Sequence, residues 1–245
     1  MFSFFKKETS SHHKGYFPII TDIHSHILPG IDDGSPDLDT SILLIKGLVE
    51  LGVTQSIATP HIISDLYRNT PSSINSALKL LQEELINQDI NFKVSAAAEY
   101  MMDTYFLELL KKKEPLMTLS ENIILTEFSY ASMPDEPSKI SFEIQMAGYK
   151  PILAHPERYP YYYKNYKMYN QLAELGFLLQ VNLLSLTGYY GKEAAKAAKY
   201  MLDNNLVAYL GTDLHHDRHL AALNEDKNIK EFYKQLSHRK WNDFI

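Results

Sequence analysis

Seven short runs rich in β-branched and aromatic residues recur along the chain, and each delivers a polar side chain at or near its end. The runs are YFPIITDIHSH, VTQSIATPH, FKVSAAAEY, NIILTEFSY, KPILAHPE, FLLQVNLLSL and LVAYLGTDLHH. The end groups are His24, His61, Glu99, Glu127, His155, Asn182 and Asp213, separated by 37, 38, 28, 28, 27 and 31 residues. An eight-unit α/β barrel averages about 31 residues per strand–helix unit, so each interval has the size of one unit. Between the runs lie amphipathic segments. In SSINSALKLLQEELINQ, Ile74, Ala77, Leu78, Leu81 and Leu85 recur at helical spacing. The first helix is expected to open with SPDLD, with Ser35 as its cap and Pro36 at its first position. Parallel strands of a barrel carry their active site at the carboxyl ends, which brings all seven polar groups to one rim. The expected fold is α/β, a seven-stranded (β/α) barrel of TIM-like type. A doubly wound open sheet would string the same groups along a line, and no Gly-rich phosphate loop follows the first run.

The length of 245 residues suits a single large domain, expected over residues 16–245. Residues 1–15 read as an N-terminal arm, because Phe2, Phe4 and Phe5 are followed at once by Lys6 and Lys7. That pattern is too short for a signal peptide, and His12 and His13 in the arm read as solvated. No apolar run approaches the roughly 18 residues of a membrane span, so no membrane insertion is expected. Net charge is −6, which argues against a general nucleic-acid surface. Cysteine is absent, which removes disulfides, thiolate ligands and a cysteine nucleophile. The composition is compatible with a cytoplasmic enzyme.

The stretch TDIHSHILPGIDDGS concentrates donor groups. His24 and His26, two apart on one strand, point to the same side, as chelation requires. Asp32 and Asp33 follow in a loop shaped by Pro29, Gly30 and Gly34, and their chemistry alone does not rank them. Glu99 and Glu127 end apolar runs, where a carboxylate is costly unless paired or metal-bound. With His61, His155, Asp213 and His215, and counting one of the two adjacent aspartates, the set reaches five histidines and four carboxylates. That is more than one or two ions need, so a three-ion cluster is expected. Nitrogen and oxygen donors without sulfur suit Mn²⁺, with Fe²⁺ or Zn²⁺ as alternatives. Three divalent ions against four carboxylates leave net positive charge, which suits a phosphate dianion. Metal-bound hydroxide is the expected nucleophile, while the ions clamp the phosphoryl oxygens. His155 and Asp213 are the expected catalytic ligands. Arg158 in HPER and Arg218 in HHDR are candidate phosphate contacts, with Arg68 behind them. Asn182 is suited to orienting a water or a loop. The segment RYPYYYKNYKMY holds six tyrosines, which serve either as packing or as an aromatic wall for a phosphotyrosine ring.

The ordered set DIHSH, DDG, TPH, AAEY, TEFS, AHPERY, QVN, SLTG and GTDLHH resembles the PHP (polymerase and histidinol phosphatase) superfamily. More closely, it is similar to the manganese-dependent bacterial tyrosine phosphatases linked to capsule and exopolysaccharide synthesis, over about Thr21 to Arg218. The resemblance implies a distorted (β/α)₇ barrel and selects Asp33 over Asp32. It places His24, His26, Glu99 and Asp213 on one ion, with Glu99 bridging to a second held by Glu127 and His155. Asp33, His61 and His215 then hold the third. The implied partner is the tyrosine-rich tail of an autophosphorylating tyrosine kinase of polysaccharide export. The runner-up reading is a small-molecule phosphatase of the histidinol phosphate type. A metal-dependent amidohydrolase ranks below it, because Asp33, His61 and His215 would be surplus to its two ions. A non-catalytic scaffold ranks last.

Overall fold

The computed structural model describes residues 17–243. The expected arm, with His12 and His13, lies outside the described residues. The fold is α/β, with nine strands and eight α-helices among the described residues. In chain order they are β1 (Thr21–Ser25), α1 (Leu38–Leu51), β2 (Gln55–Ala58), β3 (His61–Ile62), α2 (Pro71–Asn87), β4 (Lys93–Ala96), β5 (Glu99–Met101) and α3 (Thr104–Lys112). Then come β6 (Ile123–Glu127), α4 (Pro137–Met146), β7 (Lys150–Ala154), α5 (Lys167–Glu174), β8 (Leu178–Asn182), α6 (Lys192–Asp203), β9 (Val207–Gly211), α7 (Asp217–Leu223) and α8 (Asp226–Leu236).

Every pairing between these strands is parallel, in a three-stranded sheet β1-β2-β4 and a six-stranded sheet β3-β5-β6-β7-β8-β9. The second and third expected runs are each broken in two. Thr59-Pro60 separates β2 from β3, and Ala97-Ala98 separates β4 from β5. Proline has no N–H for a sheet ladder, which accounts for the first break. Hydrogen bonds from Thr59 N to Ser25 O (2.8 Å), Ala97 N to Ala58 O (2.9 Å) and Glu99 N to Pro60 O (3.0 Å) carry the contact across both breaks.

The strands are buried on two sides. Ile23, Ile57, Ala97, Leu125, Ile152 and Ala154 form one apolar cluster. A larger cluster joins the strands to the helices through residues such as Leu48, Leu81, Ile144, Leu172, Ala198 and Phe232. Helix α2 buries Ile74, Ala77, Leu81 and Leu85, as its periodicity predicts, and Thr70 caps it in a capping box with Ser73. Helix α1 corrects the expectation for its start. Asp37 is the cap, accepting from Thr40 N at 2.8 Å, and Pro36 lies before the helix. Ser35 is fully buried and works in the preceding loop instead, where its N donates to His26 O at 2.9 Å and its Oγ to Asp37 O. No helix among the described residues is long and apolar enough to cross a membrane.

Candidate metal centre

The loop edge of the sheets collects the polar strand ends. His24 lies in β1, His61 in β3, Glu99 opens β5, and Glu127 ends β6. His155 and Asp213 follow β7 and β9 with left-handed backbone, φ 34° and 52°. Side-chain-bearing residues seldom adopt that conformation, and it turns both groups inward at the point where their strands stop. The backbone interlocks there too: Asp213 N donates to His24 O (2.8 Å) and His26 N to Leu214 O (2.9 Å).

Four of the histidines, His24, His26, His155 and His215, share a pattern: one ring nitrogen is anchored and the other faces the centre. His24 Nδ1 donates to Gln180 Oε1 (2.8 Å), and His26 Nδ1 donates to Asp32 Oδ2 (2.7 Å). His215 Nδ1 donates to Asp213 O (2.9 Å), and His155 Nδ1 lies 3.1 Å from the Tyr130 hydroxyl. On the inner side, Glu99 Oε2 lies 3.1 Å from His24 Nε2 and 3.3 Å from His26 Nε2. Glu99 Oε1 lies 3.0 Å from His155 Nε2. His61 Nδ1 is 3.2 Å from Glu99 Oε2 and 3.0 Å from Glu127 Oε1. Anchoring the outer nitrogen fixes tautomer and ring orientation, the arrangement metal-binding histidines use.

Burial and charge set the protonation states. Burial lowers and the Glu99 and Asp213 carboxylates raise the His24 imidazole, which ends at about 9. Burial pushes His155 down to about 4, and burial with the nearby His26 does the same to His215. Both are therefore neutral at physiological pH, the form that ligates a cation. Burial, with Glu99 adjacent, pushes Glu127 up to about 7. Burial opposes the ionisation of Asp213, but His24, His215 and Arg158 together hold it well below the usual carboxylate range.

Three buried polar atoms here have no hydrogen bond: His61 Nδ1, Glu99 Oε1 and Glu127 Oε1. Each lies close to a potential partner without hydrogen-bond geometry, and a buried polar atom in that state is costly. A shared cation relieves the cost. Donor atoms lie within 4.8 Å of one another in four overlapping groups, His24/His26/Asp213, His24/Glu99/His155, His61/Glu99/Glu127 and His26/Asp33/His61/His215. All nine expected ligands are in these groups, and the sulfur-free donor set fits divalent ions.

Over residues 20–240 the chain matches the family described as capsular polysaccharide synthesis, CpsB/CapC. The chain belongs to this CpsB/CapC family. It is 32% identical to the tyrosine-protein phosphatase YwqE of Bacillus subtilis over 194 residues, covering 79% of this chain and 76% of that one. It is 29% identical to the putative tyrosine-protein phosphatase CapC of Staphylococcus aureus, covering 89% and 87%. A solved structure from work on YwqE of Bacillus subtilis and CpsB of Streptococcus pneumoniae, described as metal-dependent tyrosine phosphatases, superposes with a TM-score of 0.75. It is 28% identical and covers 88% of this chain and 93% of that one.

Within this CpsB/CapC chain the adjacent aspartates separate by role. Asp33, half exposed, points Oδ1 to within 3.5 Å of His61 Nε2 and 3.7 Å of His215 Nε2. Asp32 sits behind the candidate ligands, accepting from His26 Nδ1, Gly34 N (3.0 Å) and His61 N (3.1 Å). Gly34 makes that turn possible, since a Cβ there would collide with His26 O and Cβ.

The arginines also separate. Arg158 reaches the centre, its Nη1 donating to Asp213 Oδ2 at 2.5 Å and its guanidinium lying 4.3 Å from the Tyr190 ring centroid. Arg218 is exposed on the first turn of α7, and Arg68 binds Ser64 O through Nε; neither lines the cavity over the ligands. That cavity, about 280 Å³, is bordered by Asp33, Glu127, Tyr130, Arg158 and His216 among others. Within the tyrosine segment, Tyr159, Tyr162 and Tyr169 are fully buried, so this part of it packs. Sequence reading missed Gln180, Tyr130 and His219. Gln180 had a usable signal, lying two residues before Asn182 and hence on the same strand face. Its Nε2 donates to Asn182 Oδ1 (2.9 Å), and Asn182 Nδ2 donates to Asp213 Oδ2 (2.7 Å).

Proposed function

We propose that this chain is a metal-dependent protein-tyrosine phosphatase that uses three divalent ions, manganese by preference. The observation that carries the reading is the convergence of nine donor side chains around buried Glu99 and Glu127 oxygens that have no hydrogen bond. The names of its CpsB/CapC relatives support the substrate class. The proposed ligands are His24, His26, Asp33, His61, Glu99, Glu127, His155, Asp213 and His215. The proposed substrate protein is the tyrosine-rich tail of a bacterial tyrosine kinase of polysaccharide export. In the same reading, β2 with β3 and β4 with β5 are single interrupted strands of a distorted seven-stranded barrel over residues 16–245. The hydrogen bonds joining β1 to the end of β9 support it.

Bound divalent ions supply Lewis acidity toward the phosphoryl oxygens and an acidified water, which replaces the nucleophile a chain without cysteine lacks. The protein's own groups do the rest. Asp32, Gln180 and Tyr130 hold the outer histidine nitrogens, so the inner ones stay directed. Arg158 neutralises Asp213 through Nη1 and directs its remaining donors to phosphoryl oxygens in the cavity it lines. Arg218, exposed on α7, has no part in this arrangement.

Protein purified without chelator and loaded with manganese should plateau near three ions per chain by elemental analysis. A plateau near one ion rejects the cluster. Phosphotyrosine peptides should exceed phosphoserine peptides and histidinol phosphate in kcat/KM. A clear win for histidinol phosphate replaces this reading with the small-ester one.

A further inference from the structure

Tyr130 stands three residues beyond Glu127 and borders the cavity over the metal ligands. It is 39% exposed, yet it is held on several sides. Its hydroxyl lies 3.1 Å from His155 Nδ1. Its ring packs edge-to-face on the buried Tyr159, 5.2 Å between centroids. The Arg158 guanidinium carbon lies 5.3 Å from its centroid. The preceding residue is also fixed, since Ser129 O accepts from the Tyr161 hydroxyl at 2.9 Å. The tyrosine-rich segment therefore braces Tyr130 from behind, and the exposed part of this one ring is presented to the cavity. A ring already immobilised loses little further freedom when a ligand packs on it.

We infer that Tyr130 is a specificity-determining residue, whose ring packs against the aryl group of a phosphate ester while the phosphoryl group lies at the metal ligands and Arg158. The inference rests on the phosphatase reading and gives it a physical basis for preferring phosphotyrosine over phosphoserine. An aromatic pair contributes roughly two- to tenfold in affinity beyond the area it buries. The hydroxyl has a separate effect. By orienting His155 it acts on every phosphate ligand alike, so the aryl-to-alkyl ratio isolates the ring.

The test is calorimetric binding of phenylphosphonate and methylphosphonate to manganese-loaded protein, which needs no turnover. The wild type should prefer phenylphosphonate. Tyr130→Ala should reduce that preference roughly three- to tenfold, and Tyr130→Phe should retain it while weakening manganese binding. Tyr130→Leu, which keeps apolar bulk without a π-face, serves the same purpose if the alanine variant does not fold. The inference is overturned if the wild type binds neither phosphonate or both equally. It is also overturned if Tyr130→Ala or Tyr130→Leu leaves the ratio unchanged, or if Tyr130→Phe lowers it as much as Tyr130→Ala. Failure of the phosphatase reading looks different: phosphotyrosine peptides are not turned over although the phenylphosphonate preference persists.

Discussion

The Gln180 carboxamide oxygen accepts from His24 Nδ1 at 2.8 Å, which turns His24 Nε2 inward to lie 3.1 Å from Glu99 and 3.4 Å from Asp213. The same carboxamide donates to Asn182, which donates to Asp213. Strand β8 thus positions two neighbouring groups of the centre, His24 and Asp213, through one buried hydrogen-bonded chain. Gln180→Met removes it with little change of volume. Manganese affinity by calorimetry should fall about 10- to 100-fold with native circular dichroism, the usual cost of losing a partner behind a metal ligand. Affinity within threefold of the parent would assign Gln180 to packing alone.

His155→Ala and Asp213→Ala should stay folded but lose most turnover. Both follow the ends of strands β7 and β9 and contribute to the centre rather than to either apolar cluster. Metal activation of water is worth several kcal/mol of barrier, and each 1.36 kcal/mol is about tenfold in rate. Native circular dichroism with kcat/KM within tenfold of the parent would contradict both assignments.

Gly211→Ala should destabilise the protein even without metal. A Cβ there would stand 2.7 Å from His24 Cβ and 2.8 Å from Gln180 Nε2, both buried. Overpacking of this kind costs about 1–3 kcal/mol. For a chain of this size each kcal/mol lowers Tm by about 2–4 °C. Thermal melts in EDTA check this, and an unchanged Tm would mean that β9 can shift away from β1 at no cost.

The absence of cysteine makes a sharp chemical prediction. Iodoacetamide at thiol-selective concentrations should leave turnover intact. Rapid acid quench with a ³²P-labelled phosphotyrosine peptide should trap no protein-bound phosphate. A stoichiometric burst on His or Asp would replace direct attack by water with a phosphoenzyme.

Much of the site was legible because its signals are local. Apolar runs of strand length, the helical face of α2 and ligand types at strand ends all depend on neighbours within a few residues. That is why nine candidate ligands scattered from His24 to His215 could be named, and the structure brings all nine into four overlapping donor groups. The start of α1 was misplaced because Ser35 and Asp37 are both good caps. Only the loop's contact with His26 O commits Ser35 elsewhere.

By itself, then, the sequence determined the alternation of strands and helices, the donor chemistry and the absence of a thiol. The tertiary structure decided which groups face the centre and which stand behind them. Asp32 and Asp33 are chemically identical neighbours, yet one supports His26 and the other faces His61 and His215, because Gly34 lets the loop close onto His26. Arg158 and Arg218 both follow a histidine motif, and only the turn after β7 brings its arginine to Asp213. Gln180 and Tyr130 enter the site through register and through packing between distant segments. Such contacts depend on how strands are set beside one another, information that a local pattern of residue types does not contain.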